Sequence, residues 1–190
     1  MIVLCLCGIG LSLGAICWII YQKSNPVLVQ KKFVSWAEKV NVDSQKLYPV
    51  VEVVDGDTVK TFIEGHSITI RMLGINTPEV VDPRKGVECF GQEASEETKR
   101  LLTGKSISIA LNPNYERVDK FGRLLAYIRL LDPDDASTTA LFVNEYLIKQ
   151  GFAYEYTFNE KNLYQYQKLF KKDELEAKKA KIGLWGKCGQ

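Results

Sequence analysis

Histidine occurs once in the 190 residues, as His66. Catalysis that needs two or three imidazoles, zinc-dependent hydrolysis foremost, is therefore excluded. His66 itself lies in the polar turn Glu64-Gly65-His66-Ser67 and is expected to be an idle surface residue. A surplus of positive charge is missing as well. Lysine and arginine number 25 against 23 acidic residues; four of the basic and two of the acidic ones fall in the first 45 positions, leaving 21 of each beyond. Long-range attraction of a polyanion is thus not available to the main domain, and any such affinity must come from local patches. Residues 161–187 form one candidate patch, with eight lysines against Asp173, Glu174 and Glu176, although a solvated helix face would read the same way. Repeats and low-complexity tracts are absent. Cysteine is sparse: Cys5, Cys7 and Cys17 read as filler in an apolar run, and only Cys89 and Cys188 remain.

Charge is also absent from Ile2 to Tyr21, a run of 20 residues. At about 1.5 Å per helical residue this spans about 30 Å, the thickness of a bilayer's hydrocarbon core. Trp18 and Tyr21 suit the interface at one end, and Lys23 follows. No basic residue precedes the run and Ser12-Leu13-Gly14 is a poor cleavage site, so a retained anchor is preferred to a cleaved signal. The expectation is a single-pass transmembrane helix over residues 1–22, embedded in lipid through 2–21, a juxtamembrane linker over 23–45, and one main domain over 46–187. Its sidedness is pulled two ways. Basic residues after the span argue for a cytoplasmic domain, whereas Cys89 and Cys188, if bonded to each other, need an oxidising compartment. Of the two, the extracytoplasmic placement is preferred.

Within the main domain, β-branched runs at 48–54, 58–63, 67–75, 106–111 and 124–131 are separated by Asp55-Gly56, Glu64-Gly65 and Phe121-Gly122. These predict five strands. Three helices are predicted: 91–102, stopped by Gly104; 139–151, with Leu141, Val143, Leu147 and Ile148 on one face; and 160–181, with Leu163, Tyr166, Phe170 and Ala177 on one face. The fold class is α+β, an OB-like five-stranded barrel with helices packed on it.

Three short stretches carry the chemistry: VVDGDTV (53–59), IRMLGINTPE (70–79) and DKFGR (119–123). An Asp-Gly turn usually has solvated carboxylates, but Asp57 is placed to enter a strand and point toward the barrel mouth. Pro78 restricts Thr77 to extended backbone and so holds the loop 76–79. Arg71 stands in an apolar strand, where an arginine facing into a barrel needs an anionic partner. Carboxylate and amide oxygens suit a hard divalent cation, and two guanidinium groups suit a phosphodiester. The combination points to a metal-dependent phosphodiesterase.

As a set, VVDGDTV, the arginine before NTPE, GVECFGQEAS, DKFGRLLAY, VNEYLIKQGFA and AKKAKIGLW resemble the staphylococcal nuclease (thermonuclease-like) family in order and spacing, over about residues 46–187. The resemblance implies an OB-fold endonuclease that needs calcium, cuts DNA and RNA with little sequence preference and leaves a 3′-phosphate. It implies Asp57, Asn76 and the Thr77 carbonyl as metal ligands, with Asp55 in support. Glu79 would orient or deprotonate the attacking water, and Arg71 and Arg123 would clamp the phosphate. Arg84, Lys85, Lys120 and Phe121 are further substrate-binding candidates, and Tyr154, Tyr156 and Phe158 either stack bases or pack in the core. No obligate protein partner is implied, and a monomer is expected. Two departures stand out: Asn76 replaces an aspartate of the better-known members and lowers the site's negative charge, and Phe121 replaces a common tyrosine. The rival reading is an OB-like nucleic-acid-binding module without turnover.

Overall fold

The structure is a computed structural model and describes residues 36–80, 86–113, 115–131 and 140–189. The anchor at 1–22, most of the linker, and both Arg84 and Lys85 lie outside the described residues. Among the described residues, no helix is long and apolar enough to cross a membrane.

Five strands close a barrel: β1 (Tyr48–Asp55), β2 (Thr58–Ile63), β3 (His66–Met72), β5 (Ser106–Ala110) and β6 (Leu124–Leu130). They run β3-β2-β1-β5-β6, and a parallel β3–β6 pairing (Ile70↔Leu124, Met72↔Ala126) completes the ring. Strand β7 (Leu141–Phe142) extends the sheet beyond β6, while β4 (Ile75–Asn76) pairs with β8 (Tyr154–Glu155) in a small ladder of its own. Side chains alternate along a strand, so Ile68, Ile70 and Met72 of β3 are buried in the barrel with Val59, Ile107, Ile109 and Ile128. The third strand therefore ends at Met72 rather than Ile75, because Leu73-Gly74 turns the chain into β4.

Helix α1 (Gly91–Leu102) matches its prediction and buries Ala94, Leu101 and Leu102. Helix α2 (Val143–Lys149) starts later than predicted, since Leu141 and Phe142 pair with β6 instead. Helix α3 (Gln167–Lys179) begins seven residues into the predicted 160–181, and Leu163 is exposed outside it. A fourth, short helix, α4 (Leu184–Lys187), buries Leu184 and Trp185. Buried Asn144 of α2 ties these layers together, accepting from the Ile128 N–H at 2.9 Å and donating to the Leu73 carbonyl at 3.0 Å. The Cys89 and Cys188 sulfurs are bonded, linking the residue two before α1 to the residue after α4. His66 is not idle: its ring stacks on Trp36 with centroids 3.7 Å apart. Trp36 belongs to a helical turn at 36–39; the carbonyls of Ala37 in this turn and of Val40 just after it accept from the Arg117 guanidinium.

Candidate active site

Asp55 pairs with Thr58 across a two-residue turn, Gly56-Asp57, between β1 and β2. Asp57 thus sits in the turn rather than entering a strand. Its side chain fastens the turn to the loop after β4: Oδ2 accepts the Thr77 N–H at 3.1 Å and Oδ1 accepts the Thr58 hydroxyl at 2.8 Å. Gly56 allows this approach, since a Cβ there would stand 2.7 Å from Thr77 Oγ1. Helix α1 adds a third tie, with Thr98 Oγ1 donating to the Gly56 carbonyl at 2.7 Å.

Arg71 alternates with Ile70 and Met72, so it faces away from the barrel interior, against the expectation that it points in. It lies on the outer wall of β2, β3 and β6, on the same side as its register partners Thr58 and Leu125. Its anionic partner there is Asp57, with Nη2 2.9 Å from Oδ2. The guanidinium also donates at 2.8 Å each to the Met72 and Ile75 carbonyls and to Asn76 Oδ1. Burial pulls Arg71 below its ordinary value while Asp57 opposes that shift. Asn76 in turn donates from Nδ2 to the Thr77 carbonyl at 3.3 Å.

Arg123 closes the far side. The DKFGR stretch folds into a turn organised by Asp119, whose Oδ1 accepts the N–H groups of Phe121 and Arg123 at 2.9 Å. Asp119 Oδ2 also receives Arg123 Nε and Nη2, each at 2.6 Å. Asp119 is therefore the residue that aims Arg123, a role that reading the turn as basic overlooks. Phe121, 62% exposed, lies under Lys120 and Arg123.

Asp55, Asp57, Arg71, Asn76, Thr77, Glu79, Lys120, Phe121 and Arg123 line one cavity of about 1010 Å³. Glu88, Tyr115, Glu116 and Asp119 line it too; Glu88 and Asp119 fall within the GVECFGQEAS and DKFGR stretches, but none of the four was a candidate site residue. Tyr156 and Phe158 reach the same cavity, whereas Tyr154 packs edge-on against Trp185 at 5.2 Å. The core reading therefore holds for Tyr154, and the other two face the cavity.

Asp55 is pushed up to about 6: burial is the main cause, and the charges of Asp57 and Glu79 and a hydrogen bond to Glu79 add to it. Carboxylates crowded in this way are a deficit that a bound cation relieves. The donor set of Asp57 carboxylate, Asn76 amide oxygen and Thr77 carbonyl is entirely oxygen, which fits a hard divalent ion with remaining positions left to water. Among the described residues, no three His, Cys, Asp or Glu side chains are grouped to hold a metal. A site here thus depends on one carboxylate backed by neutral oxygens.

A closed OB-like barrel with carboxylates and two arginines gathered on its outer wall defines the class. Residues 69–187 match the family described as Staphylococcal nuclease homologue. The chain is 40% identical over 139 residues to the SPbeta prophage-derived endonuclease YokF of Bacillus subtilis, covering 72% of this chain and 43% of that protein. It is 34% identical over 142 residues to the thermonuclease of Staphylococcus hyicus, covering 75% and 77%. With endonuclease YncB of B. subtilis it shares 37% over 139 residues, covering 72% and 60%. The chain belongs to the staphylococcal nuclease family. It spans less than half of YokF's own length and three fifths of YncB's.

Proposed function

We propose that the chain is a membrane-anchored, metal-dependent endonuclease that hydrolyses phosphodiester bonds of DNA and RNA with low sequence preference. Calcium is the proposed cation. One observation carries the reading: Asp57, Asn76, Thr77, Glu79 and both arginines share a single cavity wall. The names of the related proteins, thermonuclease and endonuclease, support it.

Asp57, Asn76 and the Thr77 carbonyl would hold the cation, which supplies charge neutralisation at the phosphoryl group and lowers the pKa of bound water. Glu79 takes the proton of the attacking water at a carboxylate oxygen. Asp55, hydrogen-bonded to Glu79 and pushed up to about 6 chiefly by burial, supports Glu79 from the cavity wall. Arg123 is the more exposed guanidinium and donates to the phosphate oxygens as negative charge builds on them. Arg71 contributes positive charge from a buried seat and keeps Asp57 and Asn76 in place. Phe121, Tyr156 and Phe158, all exposed at the cavity, offer ring faces to bases, and stacking is tolerant of sequence.

The Cys89–Cys188 bond supports an extracytoplasmic domain, because such bonds persist in oxidising compartments. The uncharged run at 2–21 supports the anchor. The test is incubation of the full chain with plasmid DNA and with RNA, with calcium or with chelator. Cutting that requires the cation is expected; retardation without cutting would overturn the enzyme in favour of a binding module.

A further inference from the structure

Glu88 lines the cavity, yet neither the metal set nor the phosphate contacts need it. What it touches is the backbone of Glu79. Glu88 Oε2 accepts the Glu79 N–H at 3.0 Å, and the Glu88 N–H donates to the Glu79 carbonyl at 2.9 Å. Both main-chain polar groups of Glu79 are therefore held by one residue nine positions later. Glu88 is itself fixed from its other side. Its carbonyl accepts the Gly91 N–H at 3.0 Å where α1 begins, and Cys89, next in the chain, is bonded to Cys188. Phe90, with φ at 67°, stacks on Phe152 with ring centroids 5.6 Å apart. The start of α1 also presses on the same peptide, since a Cβ on Gly91 would lie 3.0 Å from the Glu79 carbonyl oxygen.

We infer that Glu88 is a positioning residue for Glu79, clamping its peptide so that the Glu79 carboxylate meets the attacking water in a fixed place. This rests on the hydrolase reading above. A general base must stand within hydrogen-bond reach of the proton it takes, and a misplacement of about 1 Å lowers a rate by as much as ~10²-fold. A glutamate with a free backbone would place its carboxylate over a range wider than that. The contact is exposed, so its loss disturbs catalysis far more than folding. The acceptor oxygen is what matters, and a glutamine supplies one.

The test compares Glu88→Ala and Glu88→Gln with wild type in the full chain, using calcium-dependent cleavage of a labelled oligonucleotide. Glu88→Ala is expected to lower kcat about tenfold or more while KM, calcium affinity by titration calorimetry, and Tm stay close to wild type. Glu88→Gln is expected to recover most of kcat. Unchanged kcat in Glu88→Ala would overturn the inference, as would a glutamine variant as slow as the alanine one, which would mean Glu88 acts through its charge. Wild-type protein that cuts nothing with any divalent cation would instead remove the hydrolase reading itself.

Discussion

Removing the Cys89–Cys188 bond is expected to lower global stability by several kilocalories per mole. The two cysteines are 99 residues apart in sequence. Cross-linking a loop of that length removes unfolded-state entropy equivalent to about 4.7 kcal/mol at 25 °C. Folded domains are stable by only about 5–15 kcal/mol in total, so the bond is a large fraction of what holds this one. At roughly 2–4 °C per kcal/mol for a chain of this size, Tm should fall by roughly 10–19 °C. The folded state itself should change little. Helix α4 is also held by the Leu184 N–H to Gly151 carbonyl bond at 2.9 Å, by buried Leu184 and Trp185, and by Lys178 over the Trp185 ring. The assay is thermal unfolding by circular dichroism of Cys89→Ser, Cys188→Ser, the double variant and the dithiol-reduced wild type, all as full chains. The four should coincide, because each removes the same cross-link. A fall in Tm of less than about 4 °C, equivalent to about 1–2 kcal/mol, would refute the entropic argument. So would hydrogen exchange in which only residues 184–188 lose protection, since the bond would then merely pin a terminus.

Asn76→Asp should bind calcium about tenfold more tightly, because affinity at oxygen sites rises with the number of charged ligands; equal affinity by calorimetry would sink the assignment of Asn76 as a ligand. Arg123→Ala should lower kcat by about 10²–10³-fold with calcium affinity unchanged, and Arg123→Lys should recover little of it, since a lysine cannot reproduce the forked contact. Asp173 is 3% exposed with Oδ2 unpartnered and Lys149 Nζ 4.0 Å from Oδ1, and burial raises its pKa above the ordinary 3.8. A carboxyl raised on folding stabilises the fold below its unfolded value and loses that contribution as pH rises through its folded value. Asp173→Asn should therefore stabilise the protein more at pH 7 than at pH 4, read from urea midpoints at both; a larger gain at pH 4 would reverse the sign.

Much of the fold was legible because its strands are short, β-branched and bounded by glycine turns. The β-branched runs located the five barrel strands, and Gly104 marked the end of α1. The misread boundaries share a cause. Residues 139–142 and 160–166 carry helix-compatible side chains, but β6 has an open edge that Leu141 and Phe142 fill. Tyr164 is drawn down onto the Gly74 carbonyl, to which its hydroxyl donates at 3.2 Å. Tertiary contacts overrode local propensity at both places. The fourth helix had no periodic signal because four residues are too few to show one.

The candidate site divides along a similar line. A residue whose chemistry is unusual for its setting, such as an arginine among β-branched neighbours, announced itself. The direction of Arg71 did not, although the alternation that buries Ile70 and Met72 already places it on the other face. An apolar run suggests burial, and burial suggests the barrel interior. Here the cover comes from outside, from the 73–77 turn and the Asp119-centred hairpin. Asp119 and Glu88 were illegible for a different reason. Each acts on a neighbour's geometry rather than on a substrate, Asp119 across four residues and Glu88 across nine. An acidic residue in a turn reads as solvated until the folded chain shows which N–H groups it has taken. Positioning residues are thus where sequence reading of this site stops, because their function is a distance, and that distance exists only once α1, the turn and the Cys89–Cys188 bond are all in place.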